Sequence, residues 1–472
     1  MTNLINVPPN VLNICRTLTD HGFQTVAVGG AVRDALSGRE PHDWDLATAA
    51  TPDEMRIVFG ISGIRSNGGE VHGTVLVMTD AGPIEVTTFR SDVSCDGRNA
   101  TVAFTRNLLE DLMRRDLTIN AIAFDPINKD LWGTGEDGSC LENLLDVTTK
   151  TIRFVGNPID RITEDRLRIL RAIRIRTAMG GMFAPDTSNA IEQSIRDGLL
   201  PGPLTMERVR DELIKILSLD DAFDGIEDWI GFGLMKMFLP EVQALDGLKQ
   251  NIWHNTDALS HTLLAASQAK VHAPFGVACG DCLRLGLTQA QTDLVALRLT
   301  MLLHDIGKPV TVTPGDSDYG NHFYRHEEVG AEMVAAICLR FKFSGEMSRF
   351  VTEGTRLHME VPGDMNSDAS IRRWARNNNG LVDFLLDVRL ADEGQRQIVK
   401  AFASFEHVKI VLCETPVIIK LPVSGDDVMR ELGIKPGKRV GMVLDYVKMF
   451  VDGHPESTRE DLLQVIRNAR GE

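Results

Sequence analysis

The stretch Val28-Gly-Gly-Ala-Val-Arg-Asp34, followed by His42-Asp-Trp-Asp-Leu46, decides how this chain reads. Thr25–Val28 is a short β-branched run of the kind that forms a strand, and Gly73–Met78 and Ile84–Phe89 read the same way. Ala31–Leu36 and Pro52–Phe59 have helical spacing. Residues two apart on a strand share a face, so Asp43 and Asp45 point together while Trp44 packs behind them. Two carboxylates on one face suit a pair of Mg²⁺ ions, one lowering the pKa of an attacking hydroxyl and the other steadying a triphosphate. Gly29 and Gly30 let the backbone approach phosphate at a helix N-terminus, and Arg33 lies one turn in, where it neutralises phosphate charge. Asp-x-Asp alone is common in surface turns. A strand, a glycine pair, a short helix and the acid pair in one span are far more specific.

That combination resembles the polymerase-beta nucleotidyltransferase superfamily, whose members often carry a third acid on a neighbouring strand. Glu85 in Ile84-Glu-Val-Thr-Thr-Phe-Arg90 is the candidate, against an equal case for a structural role. Further on, Asp111-Leu-Met-Arg-Arg-Asp-Leu-Thr-Ile-Asn-Ala-Ile-Ala123 resembles the RRDxTxNAxA motif of class II tRNA nucleotidyltransferases and bacterial poly(A) polymerases. The resemblance implies that Arg115 contacts phosphate or sugar and that Asp116 accepts a hydrogen bond from the ribose, with Asn120 in the same nucleotide site. A capped surface helix with an Asp–Arg pair accounts for each residue singly but not for the string.

Glu164-Asp-Arg-Leu-Arg168, continuing to Arg174, resembles the EDxxRxxRxxR motif of the same family. On a helix Asp165 and Arg168 are neighbours on one face, an acceptor beside a donor. Cytosine and adenine both offer an amino donor next to a ring acceptor, whereas uracil and guanine reverse both. One such pair accepts C and A, and a mismatch leaves buried polar groups unpaired. Arg171 and Arg174 follow for triphosphate or primer phosphates, and Glu164 belongs to the same nucleotide-binding motif. The bland alternative is an arginine-rich solvated helix with pairs such as Glu164–Arg168. Leu204–Leu217 is similar to the primer-supporting helix of these enzymes.

A second metal chemistry is written in Met301-Leu-Leu-His-Asp-Ile-Gly-Lys-Pro309, which resembles the HD phosphohydrolase signature. His304 and Asp305, with His261 upstream and Asp392 downstream, form a ligand set, to which His326 and His358 add if the site is binuclear. Imidazole with carboxylate suits Ni, Mn, Co, Fe or Mg. Relatives with this signature either keep it as an RNA-facing scaffold or act on 2′,3′-cyclic or phosphorylated ends.

The expected architecture is an α/β nucleotidyltransferase head of the polymerase-beta type, followed by all-α neck, HD and tail domains. The boundaries are 1–150 for the head, 151–250 for the nucleotide-reading neck, 251–400 for the HD domain and 401–472 for the tail. The region 299–400 and Val423–Gly437 look most like the long actinobacterial-type CCA enzymes. From Glu164 to about residue 240 the spacing is helical, interrupted at Leu200-Pro-Gly-Pro203, and the tail shows helices at Asp426–Leu432 and Val440–Phe450 after a link at Glu414-Thr-Pro416.

The 472 residues carry a net charge of −16, which argues against a protein that coats nucleic acid indiscriminately. Between Arg161 and Arg176, however, six arginines face two acids, and that is where RNA is expected. No apolar stretch is long enough to span a membrane. With no signal peptide and seven scattered cysteines, reduced thiols and a cytoplasmic location are expected. Cys279-Gly-Asp-Cys282 lacks a second pair and reads as structural.

The function implied is template-independent addition of C, C and A to the tRNA acceptor end from CTP and ATP. The rivals are a poly(A) polymerase with the same head, an HD phosphohydrolase whose head only binds, and a noncatalytic tRNA-binding protein. Two departures stand out. The segment Ser91-Asp-Val-Ser-Cys-Asp-Gly-Arg-Asn-Ala100 lacks the Tyr and Pro that relatives carry in a loop tied to the switch from C to A. Leu131–Ser139 replaces the family's usual DPFGG turn. The sequence leaves the oligomeric state open.

Overall fold

A computed structural model describes residues 5–41, 43–66, 72–95, 100–202, 204–250, 256–315, 320–363, 366–393, 398–414, 417 and 420–469. It divides into two compact units, Met1–Met237 and Phe238–Glu472.

The first unit is built on a seven-stranded sheet. Its strands are β1 (Thr25–Val28), β2 (Asp45–Thr48), β3 (Ile64–Arg65), β4 (Thr74–Thr79) and β5 (Gly82–Thr88), with β8 (Ala123–Phe124) and β9 (Leu131–Trp132) completing it. The order is β3-β4-β5-β2-β1-β8-β9. Strands β6 (Arg90–Cys95) and β7 (Ala100–Phe104) form a separate antiparallel hairpin. Every residue of β1 is buried, as its β-branched composition predicts, and β2 lies between β1 and β5. Val26, Val28, Ala47, Phe89, Leu108, Leu112 and Ala123 close a core behind these strands. Helix α1 (Pro9–Asp20) precedes the sheet; α2 (Gly30–Leu36) and α3 (Pro52–Phe59) fall where the sequence places them. Thr51 and Glu54 cap the start of α3 reciprocally. Helices α4 (Leu108–Met113) and α5 (Leu141–Thr149) complete the sheet region, and the departure at Leu131–Ser139 begins as the edge strand β9.

The helical half of this unit corrects one expectation. Glu164–Arg174 is not a single helix: α6 (Pro158–Glu164) ends at Asp165, and α7 (Leu167–Met179) starts afresh. Asp165 has extended backbone angles (φ −149°), and its Oδ1 accepts from the Leu167 amide at 3.1 Å. The side chain caps the new helix instead of continuing the old one. Beyond it, Pro185–Arg196 and Met206–Leu217 are separate helices with the break around residues 200–202 between them, as expected.

In the second unit, the helices Ala258–Gln268, Gln289–Leu303, His326–Phe341, Gly345–Leu357 and Val382–Glu393 pack on one another, and Val312–Thr313 pairs with His322–Phe323 in a small, partly exposed hairpin. The tail packs Val428, Val447, Leu462 and Ile466 between Gly425–Leu432, Lys438–Gly453 and a third helix, Arg459–Asn468, that sequence spacing did not announce. No described helix is long and apolar enough to cross a membrane.

Candidate active site

The parallel register of β2 and β5 pairs Leu46 with Val86. Asp45 and Glu85 are each one residue earlier, so they stand side by side on the same face. Withdrawal from solvent raises the Glu85 carboxyl above its ordinary range, the Asp45 charge adds to the rise, and Arg90 opposes it. Asp45 is raised for the same first reason, with Arg115 opposing and Asp43 adding. Asp43 lies just ahead of the strand, and the predicted alternation holds: Asp43 and Asp45 are exposed while Trp44 between them is buried. His42 falls outside the described residues.

Asp45 and Glu85 line a cleft of about 650 Å³. Gly29 and Gly30 form its floor, and Gly29, at φ +74°, occupies a conformation that a side chain would strain. A Cβ there would sit 3.6 Å from Arg115 Nη1 and 3.9 Å from Asp45 Oδ2, and the Arg115 charge acts on Asp45. Arg33, Arg115, Asp116, Asn120, Asp165, Arg168, Arg171 and Arg174 line the rest of it. Of the residues predicted for the head, Asp43 and Glu164 are absent from the lining. Glu164 accepts from Arg168 Nη1 at 2.5 Å and also pairs with Arg161.

A continuous polar chain runs among these residues. Arg33 Nη1 donates to Asn120 Oδ1 at 2.7 Å, Asn120 Nδ2 to Asp116 Oδ1 at 3.3 Å, and Arg171 Nη2 pairs with Asp116 Oδ2 at 2.8 Å. Burial alone would raise the Asp116 carboxyl, but the Arg171 charge and the Leu117 amide hold it down at about 2. Arg174 donates to buried Glu212 at 2.7 Å. Asp165 and Arg168 reach the same cleft although they do not share a helix. Arg208 Nη2 donates to Asp165 Oδ2 at 2.8 Å, and Arg168 Nη2 donates to the Arg114 carbonyl at 3.2 Å. The sequence reading missed Arg208 and Asp111, which holds Arg114 and Arg115 from a buried position. Both sit inside motif text already singled out, and an acid or base among paired opposite charges was the available signal.

Solvent-facing, all-oxygen donors fit Mg²⁺, which keeps several waters. Arg115 Nε is buried and has no hydrogen-bond partner among the described residues, consistent with a charged ligand in the cleft.

The second cluster is of another kind. His304 Nδ1 donates to the Met301 carbonyl at 2.7 Å, His326 Nδ1 to that of Phe323 at 2.9 Å, and His358 Nδ1 to that of Thr355 at 2.7 Å. With each Nδ1 committed as a donor, the Nε2 atoms face inward; burial opposes charge on His304, but Asp305 and Asp392 raise it to about 10, so its Nε2 holds a proton that an entering cation displaces. Asp305 stands between two donor sets, Oδ2 at 3.3 Å from His304 Nε2 and Oδ1 at 3.4 Å from His326 Nε2. Donor atoms of His261, His304 and Asp305 lie within 4.8 Å of one another, as do those of Asp305, His326 and His358. Asp392 Oδ1 is 2.9 Å from His261 Nε2 and 3.3 Å from His304 Nε2. All six predicted residues therefore converge.

His304 Nε2 is buried without a well-aligned hydrogen bond, the mark of a donor meant for a cation. Burial, helped by the charge on His304, pushes His358 down to about 4, so it is the neutral ligand form near pH 7. Burial would raise Asp305, but His304 and Lys308 hold it well below the carboxylate range. The residues fit one or two divalent transition ions. Gly307 keeps the His304–Lys308 turn against the next helix, because a Cβ there would collide with the His326 carbonyl. Cys279 and Cys282 are buried thiols.

Three family models match the chain: Poly A polymerase head domain over residues 25–145, HD domain over 259–393, and Probable RNA and SrmB-binding site of polymerase A over 183–245. An A-adding tRNA nucleotidyltransferase of Deinococcus radiodurans is 34% identical over 435 residues, covering 88% of this chain and 89% of the relative. A CCA-adding enzyme of Bacillus pumilus is 42% identical over 211 residues, 44% of this chain; the match spans only half, 50%, of that relative's length. The crystal structure of the Bacillus stearothermophilus CCA-adding enzyme in complex with CTP aligns over 98% of both chains, with a TM-score of 0.64 and 26% identity. The chain belongs to the class II tRNA nucleotidyltransferase and bacterial poly(A) polymerase family, in a form that carries an HD domain.

Proposed function

We propose that this chain extends the 3′ end of tRNA without a template, adding C, C and A from CTP and ATP with release of pyrophosphate. The observation that carries this reading is one cleft lined by Asp45 and Glu85 together with Asp165, Arg168 and a set of further arginines. Asp43 and Asp45 hold Mg²⁺, with Glu85 beside them. Mg²⁺, when bound, supplies charge neutralisation at the triphosphate and activation of the primer hydroxyl. Arg33, Arg115, Arg171 and Arg174 bind phosphates, Gly29 and Gly30 admit them closely, and Asp116 with Asn120 meets the ribose. Asp165 and Arg168 read the base, which requires them to exchange their bonds to Arg208 and Glu164 for the Watson–Crick edge.

The head, neck, HD and tail partition at 1–150, 151–250, 251–400 and 401–472 is part of this proposal, as is a cytoplasmic location. Primer binding is by the shape and backbone of the acceptor and T arms, since a duplex RNA major groove hides its base edges. Binding then weakens steeply with salt.

The test is primer extension with tRNA lacking its last three nucleotides and with tRNA ending in CC, given CTP and ATP singly and together. Addition of three nucleotides, abolished by D43A/D45A, is the expected result. Addition of one A to the CC end alone would align the chain with the A-adding Deinococcus relative and would replace CCA by A addition; a long tail would make the chain a poly(A) polymerase.

A second reading runs alongside the first. The inward-facing Nε2 atoms around Asp305 favour a metal-dependent phosphohydrolase at the HD site, acting on phosphorylated or 2′,3′-cyclic RNA ends. Hydrolysis of a terminal phosphate in the presence of Mn²⁺ or Ni²⁺, lost in H304A, tests it.

A further inference from the structure

Asp111 lies on α4, outside the set that faces the cleft, and is 1% exposed. Its carboxylate is fully engaged. Oδ1 accepts from Arg114 Nε at 3.0 Å, Arg114 Nη2 at 2.9 Å and the Arg90 amide at 3.3 Å; Oδ2 accepts from Arg115 Nη2 at 3.0 Å. Each contact leads to a different part of the site. Arg90 opens the β6–β7 hairpin and faces the cleft. Arg115 lies beside Asp45. The carbonyl of Arg114 is the one that receives Arg168 Nη2 at 3.2 Å. The adjoining carbonyl, of Met113, receives Arg161 Nη1 at 3.2 Å, and Arg161 shares Glu164 with Arg168. The base-reading arginine is thus seated on the turn that Asp111 clamps.

We propose that Asp111 is a positioning residue of nucleotidyl transfer, fixing Arg115 beside the metal-binding acid and the Arg114 carbonyl beneath the base-reading arginine. Metal binding and base choice are then set by one buried carboxylate. The inference rests on the transfer reading above. With the Asp111 charge removed, Arg115, whose charge acts on Asp45, competes with Mg²⁺ for that carboxylate. With the Arg114 turn loosened, Arg168 loses its seat and mismatched bases are rejected less well.

The experiment compares wild type, Asp111→Asn and Asp111→Glu in primer extension, titrating Mg²⁺ and measuring incorporation of CTP and ATP against UTP and GTP. D111N is expected to need about tenfold more Mg²⁺ for half-maximal rate, the scale of one lost charge-assisted hydrogen bond. It is also expected to misincorporate UTP and GTP more often than wild type. D111E, which keeps the charge, returns the Mg²⁺ midpoint toward wild type. A merely structural role would lower the melting temperature of D111N and D111E while leaving the midpoint and the base ratio where they were, and that result overturns the proposal. Should wild type itself extend no primer, the transfer reading falls and takes this inference with it; should wild type extend while all three proteins behave alike, only the role of Asp111 is lost.

Discussion

The head cleft and the HD cluster both gather acids for divalent cations and phosphate, yet they are built on opposite principles. In the cleft Asp45 and Glu85 are exposed or half-withdrawn, the ligands are all oxygen, and charge balance comes from arginines already paired with acids, whose bonds must be exchanged when a nucleotide arrives. In the cluster His304, Asp305, His326 and His358 are buried, and each of these histidines is fixed through its backbone before any ion enters. Soft organisation suits Mg²⁺ that comes and goes with the triphosphate; rigid imidazole suits a resident transition ion.

The largest test of this contrast is metal retention. After dialysis the chain should keep a transition metal that H304A and D305N fail to bind, with metal analysis as the readout, while primer extension by H304A continues at wild-type rate and still demands added Mg²⁺. Equal loss from wild type and H304A would erase the distinction. A smaller effect is expected at the base-reading pair. D165N changes an acceptor-only carboxylate into a group that also donates, so discrimination of C and A over U and G should fall about ten- to a hundredfold, the cost of unmet buried hydrogen bonds. Competition assays with mixed nucleotides measure it, and an unchanged ratio would move base reading elsewhere.

The smallest effect separates two acids of the same unit. Asp116 is held at about 2 by Arg171, whereas Asp228 is pushed up to about 6 by burial, with Arg176 opposing and Asp224 and Glu227 adding. Asp228 Oδ2 has no hydrogen bond among the described residues. Between its ordinary value of 3.8 and about 6 the folded state holds the proton more tightly, so Asp228 costs stability as pH rises through that window. D228N should therefore melt higher than wild type at pH 7, by about 1 kcal/mol, with the gap closing toward pH 4. Melting curves across pH check the sign.

Much of this was legible before any coordinates. The strand–Gly-Gly–helix–Asp-x-Asp order brought Asp45 and the glycines to the cleft, and exposed Asp43 and Asp45 on either side of buried Trp44, because strand alternation and glycine conformation are local properties. Glu85 was only an even candidate, since its position beside Asp45 depends on which strand pairs with β2, a non-local choice. The break at Asp165 was misread because arginine-rich text keeps helical spacing across it. What the spacing hides is that an Asp side chain can cap a new helix as easily as ride an old one. Arg208 and Asp111 were passed over for a related reason: Arg208 meets Asp165, 43 residues away, and Asp111 adds the Arg90 amide, 21 residues away, to its local bonds with Arg114 and Arg115, contacts that only folding makes. Of the segment Ser91–Ala100, which the family resemblance ties to the switch from C to A, Ser91–Cys95 belongs to β6 and Ala100 to β7 rather than to a loop, and residues 96–99 lie outside the described residues.

Each of His304, His326 and His358 donates to the carbonyl three residues before it in the chain. Such an anchor travels with its own segment and asks nothing of the other two. The cluster can therefore be altered one histidine at a time: a substitution at any of them leaves the remaining rings correctly aimed, and a lineage can trade a binuclear centre for a mononuclear one, or for none, without repacking the helices that once served it.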